Sequence, residues 1–461
     1  MAGRRVLVIG LDSAPPELLF RDFVGELPNI GEMLEDGIYG SMLSCHPPIT
    51  IPAWTVMVTG RNPGSLGLYG FRHRKRNSYT EFYIANSYSI KEKTVWDVLS
   101  QDGKHSCVVS VPPSYPPKPL RGCLVSCFIT PSAEKDYTYP AGLKVEIEQL
   151  IGRYMFDVEF RTEERRKLLK ELYDMTERRF KTVSHLMGKR KWDFFMFVEI
   201  GVDRVHHAFW KFFDRTHQKY VPGNEFEDVI RDYYKFIDVK VGELLKKAGK
   251  DTVVFVVSDH GTKKMKGAFC INEWLSNEGY LSAKTPERAV DLEEADVNWS
   301  RTKAWGWGGY YARVFLNVKG REPLGCIEPE NYESEREELA EKIRGIRDPD
   351  GRRMNTKVFK PEELYPELKG DPPDLLVYFD DLYWRSAGTL GQNTIYLSEN
   401  DKGPDDAVHS MYGTYIMHDP ERTLGRKELT EVDILDVAPT LLKVLGYPRL
   451  EGLEGRVLGE V

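Results

Sequence analysis

The chain has 461 residues, of which 41% are hydrophobic and 29% charged, with a formal net charge of −7. This is the composition of a globular protein large enough for one big domain with insertions, or for two domains. The acidic balance gives no reason to expect duplex nucleic acid or an anionic membrane surface as partner, so an anionic substrate has to be held by local cations or metal. No stretch of about 18 uncharged apolar residues offers a membrane span. Six cysteines form no CxxC pair, which suits a reducing compartment. The N-terminal apolar stretch is too short for a signal peptide, and a cytoplasmic location is expected.

Residues 4–11 read as a buried parallel strand that ends at Asp12. An aspartate there can also cap a helix, and Pro15-Pro16-Glu17 follows. Residues 27–37 read as a short helix with proline near its start and glycine at its end, and a strand follows at about 38–43. Prolines 47, 48 and 52 hold the chain extended, then release it into a helix near Pro52. Thr50 therefore falls just ahead of a helix N-terminus, where free amides and the helix dipole favour an anion; service as an N-cap is the alternative. The glycine-rich loop from Gly60 runs into the basic cluster Arg72-His73-Arg74-Lys75-Arg76, which suits phosphate contact or a solvated surface.

A helix at 94–102 and a strand at 106–111 come next, followed by a proline-laden, loop-rich segment at 112–140. Residues 142–152 and 163–187 read as helices. The apolar run at 193–199 is a strand that delivers Asp203 and His207, four residues apart and so on one helical face. His206 points about 100° away from His207 on such a helix and is left outside. A long helix at 226–249 leads to the strand 251–258, which ends at Asp259-His260-Gly261. Residues 285–330 are less regular; for their patch Trp305-Gly306-Trp307-Gly308-Gly309-Tyr310-Tyr311 the packing of an insertion is the preferred reading and contact with substrate the alternative. Strands at 313–318 and 374–379 flank a helix at 333–344. His409 precedes a strand at 414–417, and an amphipathic helix closes the chain at 433–446. There is no internal repeat.

The alternation of strands and helices predicts an α/β fold with a mostly parallel central sheet and helices on both faces. We expect one catalytic domain over 1–461, with insertions at about 112–140 and 285–330 forming a cap or pocket wall. Asp12, Thr50, Asp203, His207, Asp259, His260 and His409 mostly fall after strands, along one sheet edge. Three carboxylates and three imidazoles suit two divalent ions, zinc first, with manganese or iron as alternatives.

The ordered set Gly10-Leu11-Asp12, Pro47-Pro48-Ile49-Thr50-Ile51-Pro52, Asp203 with His207, Ser258-Asp259-His260-Gly261, His409 and Asp436-Val437-Ala438-Pro439-Thr440 resembles the alkaline phosphatase superfamily. The likeness is to its type I phosphodiesterase/nucleotide pyrophosphatase branch. The resemblance implies one metal on Asp12, Asp259, His260 and the Thr50 oxygen, and a second on Asp203, His207 and His409. It further implies a phospho-Thr50 intermediate and a small-molecule phosphate mono- or diester as substrate. Where the phosphodiesterase branch usually carries a phosphate-contacting asparagine, this chain has Phe71; Arg72, His73 and Arg74 are the candidates to replace that contact. The other readings are a phosphomutase or phosphoryl- or phosphoglyceryl-type transferase of the same superfamily, and a non-catalytic metal-binding module. A sulfatase is disfavoured by threonine at position 50.

Overall fold

The structure, a computed structural model, describes residues 4–448 and 451–459. Its centre is a ten-stranded sheet. Five strands run parallel in the order Thr252–Val257, Arg5–Leu11, Phe194–Glu199, Ser106–Val109, Gly122–Val125. Antiparallel strands close both sides: Tyr412–His418, which leads on to Gly37–Leu43, and Thr138–Tyr139. The mostly parallel sheet expected from the alternation is therefore present, with one refinement. The loop-rich segment at 112–140 carries two of the sheet's strands, Gly122–Val125 and Thr138–Tyr139, too short to show a period among the prolines.

Strand periodicity explains why helices cover both faces. In the central strand Leu7, Ile9 and Leu11 enter one core while Val6 and Val8 enter the other, because successive side chains alternate across a sheet. The first core is roofed by the helices Pro28–Glu35, Arg165–Lys189, Gly201–Phe213 and Val229–Ala248. The second is roofed by Thr50–Thr59, Val95–Gln101 and Val437–Val444. Each fully buried aliphatic side chain contributes about 2 kcal/mol of transfer free energy, and neither face is left wet.

The helix Thr50–Thr59 is buried on every side, as an all-round apolar helix must be. It sits close because of Gly10. A Cβ there would lie 2.6 Å from the Trp54 ring, so only glycine lets the helix lie flat against the sheet. The helix stops at Gly60, whose φ of 63° makes the left-handed C-cap.

A second unit is inserted between the strands Thr252–Val257 and Tyr412–His418. Its antiparallel four-stranded sheet runs Ala304–Trp307, Ala312–Leu316, Leu375–Tyr378, Lys357–Phe359. It has its own core, built on Phe269, Trp305, Phe315 and Phe379 together with the helices Ile271–Asn277 and Tyr332–Arg344. The stretch at 285–330 thus belongs to a larger folded body. Ala312–Leu316 and Leu375–Tyr378 fall where strands are expected at 313–318 and 374–379, whereas Ala304–Trp307 hides from pattern reading because it is buried throughout and interrupted by Gly306.

Candidate active site

The parallel register aligns the strand ends. Leu11 pairs with Glu199 and Gly10 with Val257, so Asp12, the helix that starts at Gly201, and Asp259-His260 emerge side by side at the carboxyl edge. This is where open α/β sheets place their sites. His409 arrives differently. It lies on its own strand, Ala407–Ser410, paired antiparallel with Gly261–Lys264 so that Thr262 faces His409. This long-range pairing stacks the His409 ring on His260 at 3.7 Å.

Thr50 is the first residue of its helix rather than a residue ahead of it. Ile49 occupies the N-cap position, and no side chain caps the helix. The capping alternative for Thr50 therefore falls away, and its hydroxyl stands 3.5 Å from His260 Nε2.

The seven expected residues converge, all buried, and six of them share one plan: one atom anchored, another turned inward. Asp12 Oδ2 accepts from Trp54 Nε1 at 2.7 Å. Asp259 Oδ1 accepts from the Ser13 amide at 3.1 Å, a contact made possible by the left-handed φ of 65° at Ser13. Asp203 Oδ2 accepts from Arg204 Nη1 at 2.6 Å. The Nδ1 atoms of His207, His260 and His409 face Asp405 Oδ1 at 2.7 Å, the Gly261 carbonyl at 3.1 Å and the Pro48 carbonyl at 2.7 Å. An Nδ1 facing an oxygen acceptor carries the proton, which leaves each Nε2 lone pair free.

The inward atoms are bare. Asp12 Oδ1, Asp203 Oδ1, Asp259 Oδ2 and His207 Nε2 have no hydrogen-bond partner. Buried polar groups are seldom left so. Ligand atoms of Asp12, Asp259 and His260 lie within 4.8 Å of one another, as do those of Asp203, His260 and His409. His207 Nε2 is 3.2 Å from Asp203 Oδ1. His260 therefore lies between two potential centres, and three carboxylates with three imidazoles fit two divalent cations of the zinc, manganese or iron type.

The electrostatics agree. Burial, then the neighbouring negative carboxyls, push Asp12 and Asp259 well above the usual carboxylate range. Burial opposes ionisation of Asp203 too, but His207 and Arg204 outweigh it and hold Asp203 low. Burial brings His260 down to about 4 and, with His260 beside it, takes His409 well below its usual value. Burial opposes the charge on His207, but Tyr310, Asp405 and Asp203 outweigh it and hold His207 well above its usual value. The crowded carboxyls of this dry pocket, faced by the neutral imidazoles of His260 and His409, are stabilised by added positive charge.

A cavity of about 300 Å³ opens over Thr50, Asp203 and His409. Phe71 and Arg72 line it as expected. Arg74 does not join them. It is held by Asp371 at 2.7 Å and Glu322 at 3.1 Å and packs over Trp305 and Phe315. His73 is also turned away, its Nε2 accepting from the Tyr69 amide. His206 is hydrogen-bonded to Thr262 and Tyr234, both at 3.1 Å. A larger cavity of about 620 Å³ lies at the other end of the Thr50–Thr59 helix, and none of the seven residues lines it.

Several functional side chains escape sequence reasoning. Asp405 orients His207; its place four residues before His409 was the available signal. Arg204 ties Asp203 to Asp157. Tyr310, read as packing, stacks on His409 at 3.8 Å.

A family model described as type I phosphodiesterase / nucleotide pyrophosphatase matches residues 6–405. No curated protein matches the chain. Among solved structures, murine ectonucleotide pyrophosphatase / phosphodiesterase 5 aligns at 14% identity and a TM-score of 0.56, covering 97% of this chain and 96% of that one. An inactive form of the murine protein in complex with AMP aligns with the same coverage at 13% identity and a TM-score of 0.56. The human counterpart aligns at 12% and 0.57, again over 97% and 96%. At these identities the structural likeness bears on the fold.

Proposed function

The chain belongs to the type I phosphodiesterase / nucleotide pyrophosphatase family, whose members are metal-dependent phosphoric ester hydrolases, and from that premise we propose that it cleaves small phosphate esters with two divalent cations and a phosphorylated Thr50. One observation carries this reading: four bare, buried ligand atoms converge beside a threonine hydroxyl that no cap consumes. Asp12, Asp259, His260 and the Thr50 oxygen would hold one cation, and Asp203, His207 and His409 the other. Bound there, the cations supply the positive charge that makes a threonine hydroxyl nucleophilic at neutral pH and offsets charge on the phosphoryl oxygens.

The chain's own residues supply the rest. The first helical turn leaves the amides of Thr50 and Ile51 without intrahelical acceptors, and these favour an anion in front of Thr50 Oγ1. That oxygen bonds to phosphorus as the ester alcohol leaves, and water then cleaves the phospho-Thr50 bond. Arg204, bridging Asp157 and Asp203, keeps Asp203 turned toward the centre. Phe128, Phe160 and Tyr310 on the cavity wall limit water. The AMP held by the murine neighbour supports an organic phosphate of nucleotide size.

Zinc is the metal we expect. A cytoplasmic location is supported by six unpaired cysteines, and among the described residues no helix is long and apolar enough to cross a membrane.

The test is turnover of 4-nitrophenyl phosphate and bis(4-nitrophenyl) phosphate by metal-loaded protein, with metal content measured and phospho-Thr50 trapped by acid quench. We expect label on Thr50 and loss of turnover in Thr50→Ala at unchanged metal content. Full turnover by that variant would remove Thr50 from the mechanism. The mono- and diester arms separate phosphatase from phosphodiesterase, and phosphate release without an added alcohol argues against a transferase.

A further inference from the structure

Five arginines border the catalytic cavity: Arg72, Arg161, Arg204, Arg313 and Arg385. They differ in how far their charge is already answered. Arg204 is bound to Asp157 through two hydrogen bonds of 2.7 and 2.6 Å and to Asp203 through a third. Arg161 pairs with Asp405 at 3.1 Å and donates to the Tyr310 hydroxyl at 3.0 Å. Arg72 is a third exposed, lies 3.7 Å from Glu293 and packs over Phe82 and Trp307.

Arg385 and Arg313 remain. The Arg385 side chain is 9% exposed, yet its Nε and Nη1 have no hydrogen-bond partner. Its nearest carboxylate, Asp405, is 3.6 Å away and already serves His207 and Arg161. Arg313 is equally buried, at 7%. Its Nη1 donates to the Arg72 carbonyl, and among the described residues no ion pair is formed with it. Burying a guanidinium costs several kcal/mol unless a counter-charge compensates, and a protein seldom leaves such donors idle.

The place of these two cations says what they await. Arg385 lies 4.4 Å over the Tyr310 ring, and that ring stacks on His409 at 3.8 Å, so the guanidinium is within about 8 Å of a metal-ligand imidazole. Arg313 and Arg385 line the same cavity as Thr50, so an organic arm on a phosphate at Thr50 shares that space with them. The reacting phosphate would have the two cations and the helix amides to receive it, so the idle donors of Arg385 are surplus to it. Planar guanidinium forks match carboxylate and phosphate oxygens pairwise.

We propose that Arg313 and Arg385 form a subsite for a second anionic group, a carboxylate or a phosphate, on the organic arm of the substrate. The physiological ester is then one that carries a negative charge in addition to the reacting phosphate. This rests on the hydrolase reading above and narrows it.

The experiment uses three 4-nitrophenyl phosphodiesters that share a leaving group and differ in the second arm: ethyl, 2-carboxyethyl and 2-phosphonoethyl. We expect kcat/KM for at least one charged ester to exceed that for the ethyl ester by thirtyfold or more, and the better of the two identifies the anion. In Arg385→Gln and Arg313→Gln the charged-over-neutral ratio falls at least tenfold. Arg385→Lys, which keeps the charge and loses the fork, keeps part of the preference. Equal kcat/KM on all three esters in the wild type, or a loss in the variants that is uniform across them, overturns the subsite. Should no ester turn over, the diesterase branch of the hydrolase reading falls while its monoesterase branch stands on 4-nitrophenyl phosphate, and the subsite is decided by calorimetric binding of the same esters to Thr50→Ala protein. Charged esters binding at least tenfold tighter, with the advantage removed by Arg385→Gln, uphold it; equal binding overturns it.

Discussion

The floor and the wall of the catalytic cavity follow opposite plans. On the floor the six acidic and imidazole side chains proposed as metal ligands each have one atom anchored and another held toward the centre, as when Trp54 fixes Asp12 and the Pro48 carbonyl fixes His409. On the wall, cations lie over rings: Arg72 over Phe82 and Trp307, Arg385 over Tyr310. The floor sits at the strand ends of one sheet closed by two cores, whereas the wall is shared: Gly308, Tyr310, Arg313 and Arg385 come from the inserted unit with a core of its own, and Phe71, Arg72, Phe128 and Phe160 from the main body. The difference teaches a division of labour. Chemistry needs fixed atoms and is built where register fixes them; selectivity needs an adjustable surface and is built in part on a body that can vary without moving the register.

The sharpest way to break this division is at Thr50. Thr50→Ala is expected to lower turnover at least a thousandfold, roughly 4 kcal/mol of barrier, with metal content and circular dichroism unchanged. A loss under tenfold, read by steady-state kinetics, would place the chemistry somewhere other than the floor. The matching blow to the wall is Arg74→Ala. It removes one of two arginines paired with Glu322, whose side chain is 5% exposed, and leaves Arg321 Nε at 3.3 Å, so stability is expected to fall by about 2 kcal/mol. Thermal unfolding should then begin in the inserted unit while metal binding on the floor persists. Simultaneous loss of both would mean that floor and wall are one cooperative body.

The same division explains what was legible in the sequence. Asp12, Asp203 and Asp259 could be found because each follows an apolar strand, and the order of the motifs supplied the rest. The sheet's parallel centre followed from the alternation. Only part of the wall could be read: Arg313 lies on the strand expected at 313–318, whereas Tyr310 lies in a bend between Ala304–Trp307 and Ala312–Leu316, and Arg385 lies on a short buried strand with no period of its own. Arg74 looked like a phosphate contact only because its partners, Glu322 and Asp371, lie some 250 to 300 residues downstream. Charge patterns along a chain show which cations exist, and only tertiary structure shows which are already paired.

Asp405 joins the two regions, since it orients His207 on the floor and receives Arg161 and Arg385 from the wall. Burial alone would raise its carboxyl, but His207 and the two arginines hold it well below the usual range. Asp405→Asn keeps the shape and removes the charge. Outer partners of metal-bound histidines are typically worth 10–100-fold, and we expect a loss of about that size in metal affinity, measured by chelator competition. An unchanged affinity would show that His207 is positioned by packing alone.

The smallest expected effect tests whether the wall responds to acid by itself. His73 lies on the Arg72–Arg74 strand, and burial, then the nearby Arg313, bring it down to about 3. Its Nε2 accepts the Tyr69 amide, which requires the neutral ring. Because the folded value lies below the unfolded value of about 6.5, the unfolded chain binds the extra proton between them. Stability is therefore full above pH 6.5 and declines as the pH falls toward 3, by about 1.4 kcal/mol per pH unit for this one group. Between pH 7 and pH 5 the stability advantage of wild type over His73→Gln should shrink by about 2 kcal/mol, read from denaturant midpoints at each pH. A constant advantage would mean that His73 takes up its proton in the fold as readily as in the unfolded chain, and that a further cation is tolerated beside Arg313.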